Sequence, residues 1–180
     1  MSRQSRAGSG RGRPARTRRL PADAPWEALD GRSAAALLGR LAGRPETEEC
    51  ERDDARLGVI SAGDGFRHPD GSVLLVVDCF SGAYNAVSLW FLIPPGKRNP
   101  EPLRPQWPEG LAGGEPGRLV NAHFDPQHGE LGSFSKSRGL GDCGEMASWR
   151  YRAGRFVLTD LRRMSFCRGV PPHRWPPLWR

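Results

Sequence analysis

The residues whose chemistry is most constrained are the four cysteines, Cys50, Cys79, Cys143 and Cys167. None stands in a CxxC pair, and close pairs are what structural zinc sites use, because a single turn then preorganises two ligands. Zinc is therefore disfavoured. An even count in a loop-rich chain reads instead as two disulfides, and spacing alone does not choose among the three possible pairings. Cys143 as a nucleophile, with His123 or His128 as a distant base, is the weaker reading. It lies beside Asp142 and Glu145, and carboxylates oppose the thiolate that such chemistry needs.

The richest polar segment runs from Ser133 to Asp142. Lys136 and Arg138 stand next to glycines whose freedom lets backbone N–H groups converge, which is the make-up of an anion-binding nest. The GxxxxGK spacing of a phosphate-binding loop is absent. In the competing reading the glycines allow a tight crossover, while Arg138 pairs with Asp142 or Glu145. Ser81 to Asn85 reads as a β-bulge, with Gly82 at positive φ, Tyr84 packed inward and Asn85 satisfying loop carbonyls, more than as a recognition loop. His123, Asp125 and His128 flank one turn. A metal there would need the imidazoles to converge, and a polar hairpin tip is the plainer reading, so no metal or other cofactor is expected. The candidate binding residues are thus Lys136, Arg138, Asp142, Tyr84, Asn85 and His123, and no catalytic residue is nominated. Trp90, Phe91, Trp149, Tyr151, Phe156 and Phe166 are expected in the core. Trp107 and Trp175 lie in proline-rich loops and are expected as exposed partner contacts.

Strands must position these residues. Val73–Val77 is a short apolar run entered through the turn signal Pro69-Asp70-Gly71, and Tyr84 to Ile93 is a second run. Leu119 to Phe124 is expected as a third strand. Asp125 to Gly129 is a turn, with Glu130 to Lys136 as the returning partner. Trp149 and Tyr151 alternate with Arg150 and Arg152. After Ala153-Gly154, Phe156 and Leu158 alternate with Val157 and Thr159, which predicts a hairpin. Pro94 to Gly117 is rich in proline and glycine and reads as a long irregular loop. The proline- and tryptophan-rich end from Pro171 to Arg180 is expected to dock on the sheet. One short helix is predicted from Ser33, as its cap, to Leu41, with Leu37, Leu38 and Leu41 on one face and Gly43 at its end. Glu46 to Arg56 is charged and expected as a loop. The fold class that follows is mainly β, an antiparallel sandwich or barrel-like domain with one short N-terminal helix and long Pro/Gly-rich loops.

The 180 residues suit one domain of ordinary size, but only 37% are hydrophobic, while glycine and proline number 23 and 17. Covalent staples would help so small a core. The net charge of +7 equals the seven arginines of residues 1–20, where no acid stands, so the rest of the chain is formally neutral. The high charge therefore marks a tail, and gives no reason to expect nucleic acid on the folded part. Residues 1–24 are expected as a disordered arginine-rich tail, 25–49 as a linker carrying the helix, and 50–180 as the β-rich domain. No apolar run approaches the length of a membrane span. No apolar segment of a signal peptide follows the basic start, so a product beginning at Met1 would be expected in the cytoplasm.

Several stretches occur in a fixed order: Asp78-Cys79-Phe80-Ser81-Gly82-Ala83-Tyr84-Asn85, Leu119-Val120-Asn121-Ala122-His123-Phe124-Asp125-Pro126, Lys136 to Gly144, Cys167-Arg168-Gly169, and Trp175-Pro176-Pro177-Leu178-Trp179-Arg180. As a set they resemble the C-terminal half of the bacterial domain-of-unknown-function family 1176, from about Cys50 to the end. The resemblance implies pairing of Cys50 with Cys79 and of Cys143 with Cys167. It also implies an exported, periplasmic or otherwise extracytoplasmic protein of bacterial-envelope type, in a family whose members are longer and whose activity is not established. The basic stretch stands where that family has its export signal and first half, as a mis-assigned start or a truncated gene would leave it. The function expected is a non-catalytic binding or structural module, monomeric, whose partner is an envelope protein, a glycan or a small anionic ligand. Two rivals stand beside it: nucleic-acid or anionic-surface binding through the arginine tail, and an enzyme using the Lys136–Asp142 loop.

Overall fold

The structure, a computed structural model, describes residues 24–48, 50, 64–111 and 114–179. The expected disorder of residues 1–20, and most of the loop expected from Glu46 to Arg56, fall outside the described residues.

Two antiparallel sheets face each other as a sandwich, and neither closes into a barrel. The first sheet takes β1 (Glu27–Ala28), β2 (Gly65–Arg67), β3 (Val73–Ser81), β4 (Ala86–Ile93) and β5 (Glu101–Pro102) in that order, with β6 (Arg118–Val120) also paired to β4. The second runs β11 (Pro177–Trp179), β10 (Arg155–Met164), β9 (Gly144–Arg152), β8 (Glu130–Lys136) and β7 (His123–Asp125). The continuous apolar runs of β3 and β4 reflect burial on both faces. Leu74, Val76, Trp90 and Leu92 face the second sheet and meet Leu131, Trp149, Tyr151, Phe156 and Leu161. Leu75, Val77, Leu89 and Phe91 form the opposite face, covered by Leu38, Leu41 and Cys50. β9 and β10 have only one face in this core, so their sequences alternate. The β9–β10 hairpin turns at Ala153 and Gly154, both at positive φ, as a two-residue turn matched to strand twist requires.

Several local expectations change. Within the stretch expected as a linker, β1 joins β2, and Trp26 is buried against Phe124 and Tyr151. The helix α1 spans Gly31–Leu38, and its cap is Asp30, whose carboxylate accepts from Ser33 N–H at 2.9 Å. Asp30 precedes the helix with extended backbone, as a capping residue must, whereas Ser33 is already inside it. The register shift in β3–β4 lies between Asp78 and Phe80, and Gly82 does not take positive φ. The Pro94–Gly117 loop contains β5, and Gly117 at φ +80 closes it against β4, where a Cβ would lie 2.9 Å from the Trp90 carbonyl.

The segment expected as one strand from Leu119 to Phe124 is two strands in different sheets. β6 pairs with β4, β7 pairs with β8, and the chain crosses between the sheets at Asn121, whose φ is +43. A strand sends successive side chains to opposite faces, so Leu119 and Phe124, five apart, cannot both enter the core from one straight strand. The break at Asn121 lets both do so.

Candidate functional site

The crossover at Asn121 organises one end of the sandwich. Its backbone N–H donates to Ala86 O, and its Oδ1 accepts from Ala86 N–H at 2.9 Å. Its Nδ2 donates to Asn85 Oδ1 at 2.7 Å and to Phe134 O at 2.8 Å. Asn85 in turn donates from Nδ2 to Lys136 O and accepts at Oδ1 from Lys136 N–H, imitating a strand partner for the end of β8. Two amide side chains thus complete the backbone bonding of three segments where the sheets separate.

Beyond Lys136 the chain enters the glycine loop. Arg138 grips Asp142 with two parallel bonds, Nε to Oδ1 at 2.7 Å and a terminal nitrogen to Oδ2 at 2.5 Å. Gly169 N–H donates to the same Oδ2 at 2.6 Å, and the Cys143–Cys167 disulfide ties the same two segments, with Cα atoms 4.7 Å apart. Arg138's bonds, opposed by desolvation and helped by Gly169, hold the Asp142 carboxyl far below the usual carboxylate range. The second disulfide joins Cys50 to Cys79, with Cα atoms 4.4 Å apart.

Beside this loop the sandwich opens into a cleft of about 420 Å³. One wall is the inner face of β8 and β9, where Ser133 pairs with Ala147 and Ser135 with Glu145. The other is β6 and the proline-rich loop, with Arg104, Trp107 and Glu115. Trp107 stands edge-on to the buried Trp149, their centroids 5.3 Å apart, and the Trp149 indole N–H donates to Gln106 O, fixing that loop to the core. Ser133 Oγ donates to Val120 O across the sheets. Glu145 is gripped at one oxygen by two nitrogens of Arg163. The cleft thus offers an indole, prolines, hydroxyls and charged groups of both signs.

Of the sequence candidates, the fold brings together Lys136, Arg138, Asp142, Tyr84 and Asn85. Within this group Arg138 and Asp142 satisfy each other, and both amide groups of Asn85 are occupied. Tyr84 is exposed, against the expectation that it packs inward, with its hydroxyl donating to Ser137 O at 3.4 Å. His123 lies apart on β7, its ring over Gly132, where a Cβ would collide with it. Asp125 and His128 pair at 2.5 Å; that bond lowers the Asp125 pKa and raises that of His128. Among the described residues the one close group of three metal-type ligands is Asp142 with Cys143 and Cys167, whose sulfurs are joined to each other. Cys143 therefore has no thiolate to offer. Trp175, expected exposed, is buried, with its indole N–H donating to Val170 O. Phe166, expected in the core, is exposed, because Cys167 pins its loop outside the sheet. Arg104, Ser135 and Glu145 were not nominated from the sequence as cleft residues. Only the alternation that places Ser133, Ser135, Ala147 and Glu145 on one face signals them.

A family model described as a protein of unknown function, DUF1176, matches residues 4–180. The match begins well before Cys50 and takes in β1 and α1, so the resemblance is not confined to the part after Cys50. The uncharacterised protein YpfG of Escherichia coli (strain K12) is 35% identical over 114 residues, covering 61% of this chain and 33% of that protein. The matched stretch thus spans about a third of the length of that curated relative. No solved structure matches.

Proposed function

The chain belongs to the family of proteins of unknown function DUF1176, and we propose that it is a non-catalytic, extracytoplasmic binding module that takes a short glycan in the cleft at the open end of its sandwich. The observation that carries this reading is the cleft, about 420 Å³ in volume, with Trp107 and prolines set among Ser133, Ser135, Arg104 and Glu145. Its size falls within the range of about 300–1,000 Å³ usual for small-ligand sites. A sugar ring has apolar faces and a hydrogen-bonding rim, which suits an indole set among hydroxyls and charges. The two disulfides support the compartment, since such bonds persist where the surroundings are oxidising.

The test is calorimetric titration of the oxidised full chain with short neutral and acidic oligosaccharides. Saturable binding is expected. Ser135→Trp should abolish it by filling the cleft from an exposed position while leaving the thermal midpoint unchanged. Binding that survives Ser135→Trp would move the site elsewhere, and the absence of binding across the set would remove the glycan reading.

A further inference from the structure

We propose that the open end of the sandwich docks on an anionic bilayer surface through a cationic, apolar tip. Three large apolar side chains stand out there on three separate loops: Tyr84 is 42% exposed, Leu140 73% and Phe166 67%. The loops are gathered at one place. A Cβ on Gly139 would lie 3.8 Å from the Tyr84 ring, and Leu140 is the next residue. Phe166 adjoins Cys167, which is bonded to Cys143, and Gly169 N–H reaches Asp142. These loops are held from beneath by the disulfide, the Arg138–Asp142 pair and the Asn85 amide. Their anchoring is polar and covalent, so the exposed leucine and phenylalanine add nothing to it, and exposed apolar side chains clustered in this way mark an interaction surface.

The charge around the tip identifies the partner. Lys136 Nζ lies 5.7 Å from the centroid of the Phe134 ring, and the Arg168 guanidinium 5.6 Å from that of Phe166. Neither cation pairs with a carboxylate among the described residues. The nearby carboxylates of Asp142 and Glu145 are each taken by an arginine. Apolar points flanked by uncompensated cations complement anionic headgroups above hydrocarbon. Three points on separate loops also suit a fluid surface, which demands no shape match. Ser135 and Glu145 lead into these same loops, so docking would bring the cleft mouth to the membrane surface.

The test is co-sedimentation of the full chain with vesicles of phosphatidylcholine alone and of phosphatidylcholine with an equal part of phosphatidylglycerol. Binding is expected only to the mixed vesicles. Leu140→Ser combined with Phe166→Ser should weaken it about a hundred-fold or more, the scale set by withdrawing two large apolar side chains from hydrocarbon. Lys136→Ala with Arg168→Ala should weaken it about thirty-fold. The seven arginines of residues 1–20 can hold anionic vesicles by charge alone, so the apolar pair decides the matter. If Leu140→Ser with Phe166→Ser binds as well as wild type, or wild type binds neither vesicle, the proposal fails. It fails equally if that variant loses a self-association seen in the wild type while vesicle binding is unchanged. Phe166→Trp gives a second readout: its added fluorescence should be quenched by brominated lipid in the mixed vesicles, and no quenching would overturn the proposal.

Discussion

Replacing Asn121 tests whether a single amide holds the two sheets together at the open end. Besides a long bond to Tyr84 O at 3.5 Å, Asn121→Ala removes three short hydrogen bonds, from Ala86 N–H and to Asn85 Oδ1 and Phe134 O. At about 1 kcal/mol net for each, the loss is about 3 kcal/mol. Alanine must also hold φ at +43, where its Cβ costs about 1 kcal/mol more than asparagine. The expected total is about 4 kcal/mol, or a fall of about 10 °C in thermal midpoint for a chain of this size. Asn121→Gly loses the same bonds without the strain, so it should cost about 1 kcal/mol less than alanine. Asn121→Asp keeps the acceptor for Ala86 but turns an oxygen toward Asn85 Oδ1 and Phe134 O, so it should be no better than glycine. Urea unfolding of the oxidised protein, followed by tryptophan fluorescence, measures all three. Equal stability of the alanine and glycine variants would refute the backbone part of the reasoning. A loss below about 1 kcal/mol in both would show that the crossover is held without the amide.

Cys143→Ser with Cys167→Ser opens a loop with a sequence separation of 24, which by chain entropy should cost about 3.5 kcal/mol in urea unfolding. A loss below about 1 kcal/mol would mean that the Asp142 contacts close the loop by themselves. Arg138→Ala and Asp142→Asn should each lower the thermal midpoint, and the double variant should lose less than the sum of the two, since both break one pair. Additive losses would show that the pair is not a unit. The Asp142 carboxyl is depressed in the folded state, so its contribution is fully present above the unfolded value of about 3.9 and is lost as pH falls toward the folded pKa. The stability gap between wild type and Asp142→Asn should therefore be constant near neutrality and narrow below about pH 4; a gap that widens on acidification would contradict the assignment.

What the sequence made legible follows from where burial is one-sided. β9 and β10 alternate because one face meets the core, so their hairpin, and Trp149, Tyr151, Phe156 and Leu158 within it, could be read directly. β3 and β4 were found as strands, but their burial on both faces erased the alternation that would have set their register. The crossover is hidden because Leu119-Val120 and Phe124 read as the two ends of one strand. The odd spacing of Leu119 and Phe124, with asparagine between them, was the signal against a single strand. Trp175 and Phe166 exchanged places for a similar reason: which of two aromatics near a disulfide is buried depends on where the bond pins the loop, and local composition does not encode that.

The candidate site was harder to read because no single segment contains it. The cleft draws on Arg104 and Trp107 from the proline-rich loop, Glu115 and Arg118 before and within β6, Ser133 and Ser135 from β8, and Glu145 from β9. Each is an ordinary surface residue until the sheets are set apart at the right angle. The polar segment that did stand out, Lys136 to Asp142, has a different relation to the site. Arg138 and Asp142 spend their charges on each other, and this fixes the loop carrying Leu140 and orients the strand ends carrying Ser135 and Glu145. Arg138 and Asp142 thus brace the open end. The surfaces they frame draw on residues scattered along the sequence, with charges of both signs in the cleft and apolar side chains at the tip. A variant that breaks the frame should therefore impair glycan binding and bilayer docking together, whereas Ser135→Trp and Leu140→Ser with Phe166→Ser should separate them.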